Sequence, residues 1–545
     1  LPQPGNQIAA DVVALGSCAN ALGNFYIGKS LLQYEPAVNS VTLMHRTNPA
    51  ANGDANTGYY RYDKSTDGGA TWTIDMGPIW GPTYNSDNSH TGRYPVGTIG
   101  NPVGNTNPDA AYQVYSGLWH TGGVWHGITY GTGKFDGTAV TEHYDSLSDA
   151  GNMEWIEDIY ASKQNVIWRM GIVEGDNAGT YADTLRVTKG TWNGSDYDYT
   201  KTNLFFHANS NLGVRPYDMN VAFSDDGMTG YAACINNADE GNLNYPTGVM
   251  YMEMYITTDG GATWSGVDPN TPKDVALTAT GAMTGSYVGG TWFGNPDSTF
   301  GVSGWGAVRP DFDMAVDGNG NLHIFVAVAP QYSFGETMSD PGTWGMADLY
   351  TTDHGNTWYG QLVAKPNTYV GSFGDATNIQ EGPRPFVSRS PDGMHMFFGW
   401  FDTSPDFGVP TNDFPDLYVA GFDVSSGMWT AIKNMTQGSA AEGSCQFGLG
   451  SYYAQESSCN FEIPAAYMTM QVDMNGVCDF SYLDNCTFSC SDFTVTLPNP
   501  PIPLNPTGIN EILSSSRFSV SSNYPNPFNG NTQVNVTLPS AMDVA

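Results

Sequence analysis

"STDGGATWT", residues 65–73, holds all the parts of a self-contained hairpin turn. An aspartate accepts hydrogen bonds from the backbone amides of its own turn. A glycine two residues on supplies a positive φ at little cost. A serine or threonine ties the other end. A tryptophan three residues further starts the next strand and buries a large ring. The pattern returns as "TTDGGATWS" (257–265) and "TTDHGNTWY" (351–359). Three copies of one hairpin clip predict a repeat architecture.

A second element recurs in step. "VRPYDMNVAFSDDG" (214–227) aligns with "VRPDFDMAVDGNG" (308–320), and the 94 residues from Arg215 to Arg309 equal those from Trp264 to Trp358. Shorter relatives are "PRPFVSRSPDG" (383–393), with Arg384, and "GRYPVGTIG" (92–100), with Arg93. Each reads as an arginine entry, an alternating strand, and for most an Asp-Gly turn into a second strand such as "NLHIFVAVA" (321–329). A third strand, the clip and a fourth strand complete a unit of the size of a propeller blade. Six units are counted. The clip of the third is reduced to Lys189-Gly190-Thr191-Trp192, and that of the sixth, in 417–430, is one residue short. Residues 439–495 form either a Cys-rich appendage or part of a seventh unit, and residues 8–23 are candidates for a strand that closes the ring.

The stretches Ser65-Asp67-Gly69-Trp72, Thr257-Asp259-Gly261-Trp264 and Thr351-Asp353-Gly355-Trp358 resemble the Asp-box (BNR) repeats of sialidase-like β-propellers. The resemblance implies an all-β fold, a six-bladed (alternatively seven-bladed) propeller over residues 1–438. It also implies that the clips lie at the blade periphery, away from any catalytic centre.

Nineteen Lys and Arg stand against 54 Asp and Glu, a formal net charge of −35. That excess argues against nucleic acid and anionic membrane surfaces as partners. No apolar run approaches the ~18 residues of a membrane-spanning helix. Five of the seven cysteines, Cys445, Cys459, Cys478, Cys486 and Cys490, crowd into one segment, while Cys18 and Cys234 stand apart. Without a C-x-x-C pair or zinc-like spacing, disulfides in an exported protein are expected, with one cysteine left over. "LPQPGNQIAA" (1–10) has neither a charged nor an apolar leader segment, which fits a processed N-terminus.

"TLPNPPIPLNPTG" (496–508) opens a Pro/Ser-rich linker, taken as residues 496–517. In 518–545, Tyr524-Pro525-Asn526-Pro527-Phe528 and "TQVNVTLP" (532–539) closely resemble the opening of the type A C-terminal sorting domain of type IX secretion cargo. The resemblance implies a small β-sandwich of which about the first third is present. It further implies export by the type IX machinery to the surface or surroundings of a Gram-negative, Bacteroidota-like bacterium.

A sialidase-like site needs arginines to grip a carboxylate and acidic groups to move protons. Arg93, Arg215, Arg309 and Arg384 stand at unit starts, and Glu154, Glu157 and Asp158, with Tyr160, supply candidate partners. Because the arginines belong to a repeated consensus, the preferred expectation is that they bond carbonyls or an aspartate of the next unit. His120 and His126 flank a Gly-Gly hairpin turn in "LWHTGGVWHG" (118–127) and are a remote metal candidate. Asp317, Asn319 and Asn321 are a weak Ca²⁺ candidate, more simply a strand turn. The expected function is binding, adhesion or structure, towards an extracellular glycan or protein, or by self-association. The alternatives are a sialidase-like glycoside hydrolase and a calcium-dependent adhesin or assembly subunit.

Overall fold

The computed structural model describes residues 9–21, 30–146, 153–174, 181–205, 218–237, 250–264, 273–275, 305–333, 336–337, 344–355, 357–373, 379–472, 475–498, 501–503, 519–520 and 536–537. Within them, seven antiparallel sheets are each built on a four-strand meander. Their first strands are Leu32–Glu35, Thr91–Gly100, Met153–Ala161, Met219–Phe223, Trp305–Val316, Phe386–Arg389 and Leu449–Gly450. Each first strand touches the next in chain order, and Leu449–Gly450 lies against both Phe386–Arg389 and Leu32–Glu35. The sheets therefore form a closed ring, a β-propeller.

The six units read from the sequence correspond to six of these sheets. The seventh uses Leu449–Gly450, Ala465–Met470 and Cys478–Asp484, and its outermost strand is Asp11–Cys18 from the other end of the chain. No helix among the described residues is long and apolar enough to cross a membrane.

Sheet faces alternate as period-two strands require. In "HMFFGWFDT" (395–403), Met396, Phe398 and Trp400 join the core shared with the fifth sheet, while Phe397 and Phe401 join the core shared with the seventh. Sheet six is thus buried on both sides by its neighbours.

Three carboxylates bind the inner strands together around the axis. Asp158 accepts from Val221 N–H at 3.1 Å, Asp218 from Phe312 N–H at 2.9 Å, and Asp313 from Val387 N–H at 2.8 Å. Asp158 and Asp313 sit on first strands and Asp218 immediately precedes one, and each takes an amide of the next first strand, so sheets three to six are linked in series.

The three clips have one geometry. Ser65 Oγ donates to Asp67 Oδ1 at 2.7 Å, and Gly69 N–H donates back to Ser65 Oγ at 2.8 Å. Thr71, Thr263 and Thr357, two residues beyond each glycine, donate through both amide and hydroxyl to the clip aspartate. This threonine is present in all three quoted stretches and closes the turn. The glycine has a second task, contact with the preceding sheet. A Cβ at Gly69 would meet Tyr482 at 2.7 Å, and one at Gly261 would meet Trp168 at 2.3 Å. The reduced clip expected at Lys189–Trp192 is not a turn. Those residues end the strand Tyr181–Trp192, and Asn193 caps the turn that follows.

Of the five clustered cysteines, Cys459 and Cys490 form a disulfide. Cys445, Cys478 and Cys486 are buried and stand as thiols in this structure. In the tail, Ser519–Val520 pairs with Val536–Thr537. Tyr524, Pro525, Asn526, Pro527 and Phe528 lie outside the described residues.

Candidate functional site

In an antiparallel meander, the start of the first strand, the second-to-third hairpin and the end of the fourth strand share one end of the sheet. The clips occupy the other end. The clip-free end of the first three sheets gathers a set of rings and cations. Arg93 and Tyr94 start the first strand of sheet two, Trp119, His120, Trp125 and His126 flank its hairpin, and Trp155 starts sheet three.

The local backbone explains this display. Gly122 and Gly123, with φ of 61° and 84°, make the tight turn that turns the chain back between His120 and Trp125. The strand register breaks between Arg93 and Val96, and Tyr94 takes φ 45° in that bulge. Tyr60 from sheet one fixes the bulge by donating to Arg93 O at 2.8 Å. Tyr94 then lies 5.7 Å, centroid to centroid, from both Trp125 and Trp155, which meet edge-to-face at 5.2 Å. His120 packs against Trp125 at 4.6 Å. Beside them His90 stacks on Trp119 at 4.2 Å, and Trp119 meets Tyr144 at 5.2 Å.

The two arginines at this end bond neutral oxygens. Arg61, Arg186, Arg384 and Arg389 each pair with a carboxylate. Arg46 instead donates to Thr57 O, Thr57 Oγ1 and Asn20 Oδ1, and Arg93 donates to Gly92 O at 2.9 Å. Neither pairs with a carboxylate among the described residues. Burial and the neighbouring charge of Arg93 lower the Arg46 guanidinium to about 10. Burial, then Arg93, holds His120 below the usual imidazole range, so it is neutral near pH 7 and can both donate and accept. Chemically, this surface offers a half-buried guanidinium, a neutral imidazole and aromatic faces. That combination suits a ligand with an anionic group on a ring.

Of the four arginines that a sialidase-like site would draw on, Arg93 and Arg384 have described side chains. Arg384 is buried on sheet six, bonding Gly448 O of the next sheet at 2.7 Å and Glu381 at 3.0 Å. Arg215 lies outside the described residues, as do the side chains of Arg309 and Glu157. Asp158 belongs to the axial series, and burial, then Asp313, pushes its carboxyl up to about 7. Tyr160 is buried against Tyr452 at 4.9 Å. Glu154 is paired with Arg186. The sequence reading named Arg93, His120 and His126 but not their aromatic setting, and it passed over Asp218 and Asp313 inside the repeats it quoted.

Two further clusters account for their own charges. His45, Asp63 and Asp75 bring three potential metal ligands together, with His45 Nε2 3.4 Å from Asp63 and 3.8 Å from Asp75. Asp63 already accepts from Gly16 N–H and Asp75 N–H, and Asn52 donates to Asp75. Burial alone would lower the imidazole, but Asp63 outweighs it and lifts His45 to about 9. The cluster is a salt-bridged seam between Asp11–Cys18 and sheet one. At the clip end, Asp317 accepts from the amides of Asn319 and Asn321 and the side chain of Asn321, forming the strand turn. With His323 and Asp348 it lines a cavity of ≈ 480 Å³. His120 and His126 meet Trp125 and Trp119 rather than each other.

No protein-family model matches the sequence, and no curated protein matches it. Among solved structures, similarity extends to polysaccharide lyase Uly1, with 9% identity over 86% of this chain and 91% of that one, at a TM-score of 0.45. It extends also to the α-L-arabinofuranosidase Arb93A of Fusarium graminearum, with 11% identity over 78% and 99%, at 0.38. A Trypanosoma rangeli sialidase matches with 11% identity over 72% and 55%, at 0.36. At TM-scores below 0.5, nothing about this chain's activity is inferred from these three.

Proposed function

We propose that this protein binds an acidic saccharide at the clip-free end of its first three sheets. The observation that carries the reading is Arg93, a half-buried guanidinium close to His120 and to Tyr94, whose ring meets Trp125 and Trp155, with no carboxylate partner among the described residues. Catalysis is not part of the reading, because the described carboxyls nearest the axis hold neighbouring strands together. The sorting-domain resemblance in 518–545 supports export by the type IX system to the cell surface, where such saccharides are met.

Calorimetric titration with uronate- and sialate-containing oligosaccharides tests the proposal, with neutral oligosaccharides of equal length as controls. Micromolar binding of an acidic member is expected, with at least a tenfold loss in Arg93→Ala and in Trp125→Ala. Equal binding of neutral controls, or an Arg93→Ala variant that binds like wild type, would overturn it. Release of free sugar from the same oligosaccharides would favour a sialidase-like hydrolase instead.

A further inference from the structure

The ring is closed by one strand, Asp11–Cys18, and its last residue is a cysteine. Its register partner on Cys478–Asp484 is also a cysteine, Cys478. Directly opposed residues of an antiparallel pair have Cα atoms about 4.5 or 5.5 Å apart and side chains on the same face. Both spacings fall inside the range a disulfide spans, about 4.4–6.8 Å. A register shift between Ala14 and Ser17 lies next to the pair and gives the strand local freedom to adjust. Both thiols are buried in one core, Cys18 1% and Cys478 0% exposed. Cys18 Sγ donates to Asn20 O at 3.1 Å, and Cys478 Sγ to Gly476 O at 3.4 Å.

The simplest alternative is two small apolar side chains packed together. Three observations favour more. The pair sits at the joint between the two ends of the ring. The same part of the fold already carries the Cys459–Cys490 disulfide, joining the strand region Asn460–Glu462 to the residue after Thr487–Ser489. Cys234 provides the contrast, since its register partners are Met219 and Glu253.

We infer that Cys18 and Cys478 are a dithiol site that an oxidising disulfide compound converts into a covalent lock on the ring. In the first step the Cys18 thiolate attacks one sulfur of the oxidant, and the other sulfur leaves as a thiolate. In the second step Cys478, losing its proton, attacks the Cys18 sulfur of the mixed disulfide and expels the second thiolate. Two protein thiols are oxidised, one oxidant disulfide is reduced to two thiols, and the two protons go to the departing thiolates. Because both sulfurs are buried in the closed ring, the oxidant reaches them before Asp11–Cys18 has fully docked. The bridge would close a loop of about 460 residues, among the long loops for which chain-entropy arguments give the largest effect.

The full chain is refolded with oxidised glutathione, alkylated under denaturing conditions without reductant, digested and mapped by mass spectrometry. A Cys18 peptide joined to a Cys478 peptide is expected, alongside Cys459–Cys490. Alkyl groups on both Cys18 and Cys478 beside an intact Cys459–Cys490 would overturn the inference, as would linkage of either one to another cysteine. In Cys18→Ser, Cys478 is expected to become alkylated, and the loss of melting temperature on adding reductant should be smaller than in wild type. An equal loss in both would count against the lock, and the wild-type map decides alone where the variant fails to fold.

Discussion

Asp158 carries a charge that its surroundings oppose. Burial, together with Asp313 and Asp218, pushes its carboxyl up to about 7, against about 3.9 in an unfolded chain. The folded state therefore binds the proton more tightly. Its contribution to stability is fully present below about pH 4 and is lost as pH rises through about 7. Melting temperature is expected to fall between about pH 4 and 7, with a flatter profile in Asp158→Asn. Identical slopes in thermal scans would refute this assignment. His45, at about 9, loses its contribution in a separate window, as pH rises through 9. The clip aspartates act in the opposite direction. Burial would raise Asp67, but hydrogen bonds from Thr71 and Ser65 hold it below its usual range, so its contribution is present above about pH 4 and lost on acidification. Because Asp67 is largely exposed, Asp67→Ala should cost only about 1 kcal/mol, the size of a lost helix cap, measured by denaturant unfolding.

The clip shows what could be read in advance. Its hydrogen bonds join residues within seven positions of one another, so the pattern, the turn and the repeat were all visible in the linear text. The neighbour that the clip presses on was not, because Trp168 lies almost a hundred residues before Gly261. The contact predicts that Gly261→Ala destabilises the protein by roughly 1–3 kcal/mol, through overpacking and a positive φ combined. A thermal shift smaller than that of Gly53→Ala, at a positive-φ glycine with open space around it, would count against the packing account. The same distinction separates the axis from the rim. "VRPYDMN" and "VRPDFDM" displayed Asp218 and Asp313 beside arginines, and the arginines drew the functional reading. Only the ring shows each aspartate reaching the next sheet's amide. Likewise "LWHTGGVWHG" displayed a hairpin correctly, but its meeting with Tyr94 and Trp155 depends on a bulge and on the approach of a third sheet.

At the scale of the molecule, a net charge of −35 surrounds a site proposed for an anion. Long-range repulsion slows such a ligand's approach and is screened over about 10 Å at 0.1 M salt. Association rates measured by stopped flow are expected to rise as salt increases from about 10 to 150 mM. A falling rate would mean that the local cations of Arg46 and Arg93 govern the encounter as well as the bound state. The closing strand has a consequence in time as well as in space. During synthesis Asp11–Cys18 is made ahead of the rest of the ring, and its partner Cys478–Asp484 follows some 460 residues later. At about 5–20 residues per second, that partner emerges roughly half a minute to a minute and a half afterwards. Throughout that interval Asp11–Cys18 has an open hydrogen-bonding edge, and the ring is an arc. Whatever accompanies the nascent chain has to keep one short strand unpaired until the last sheet arrives.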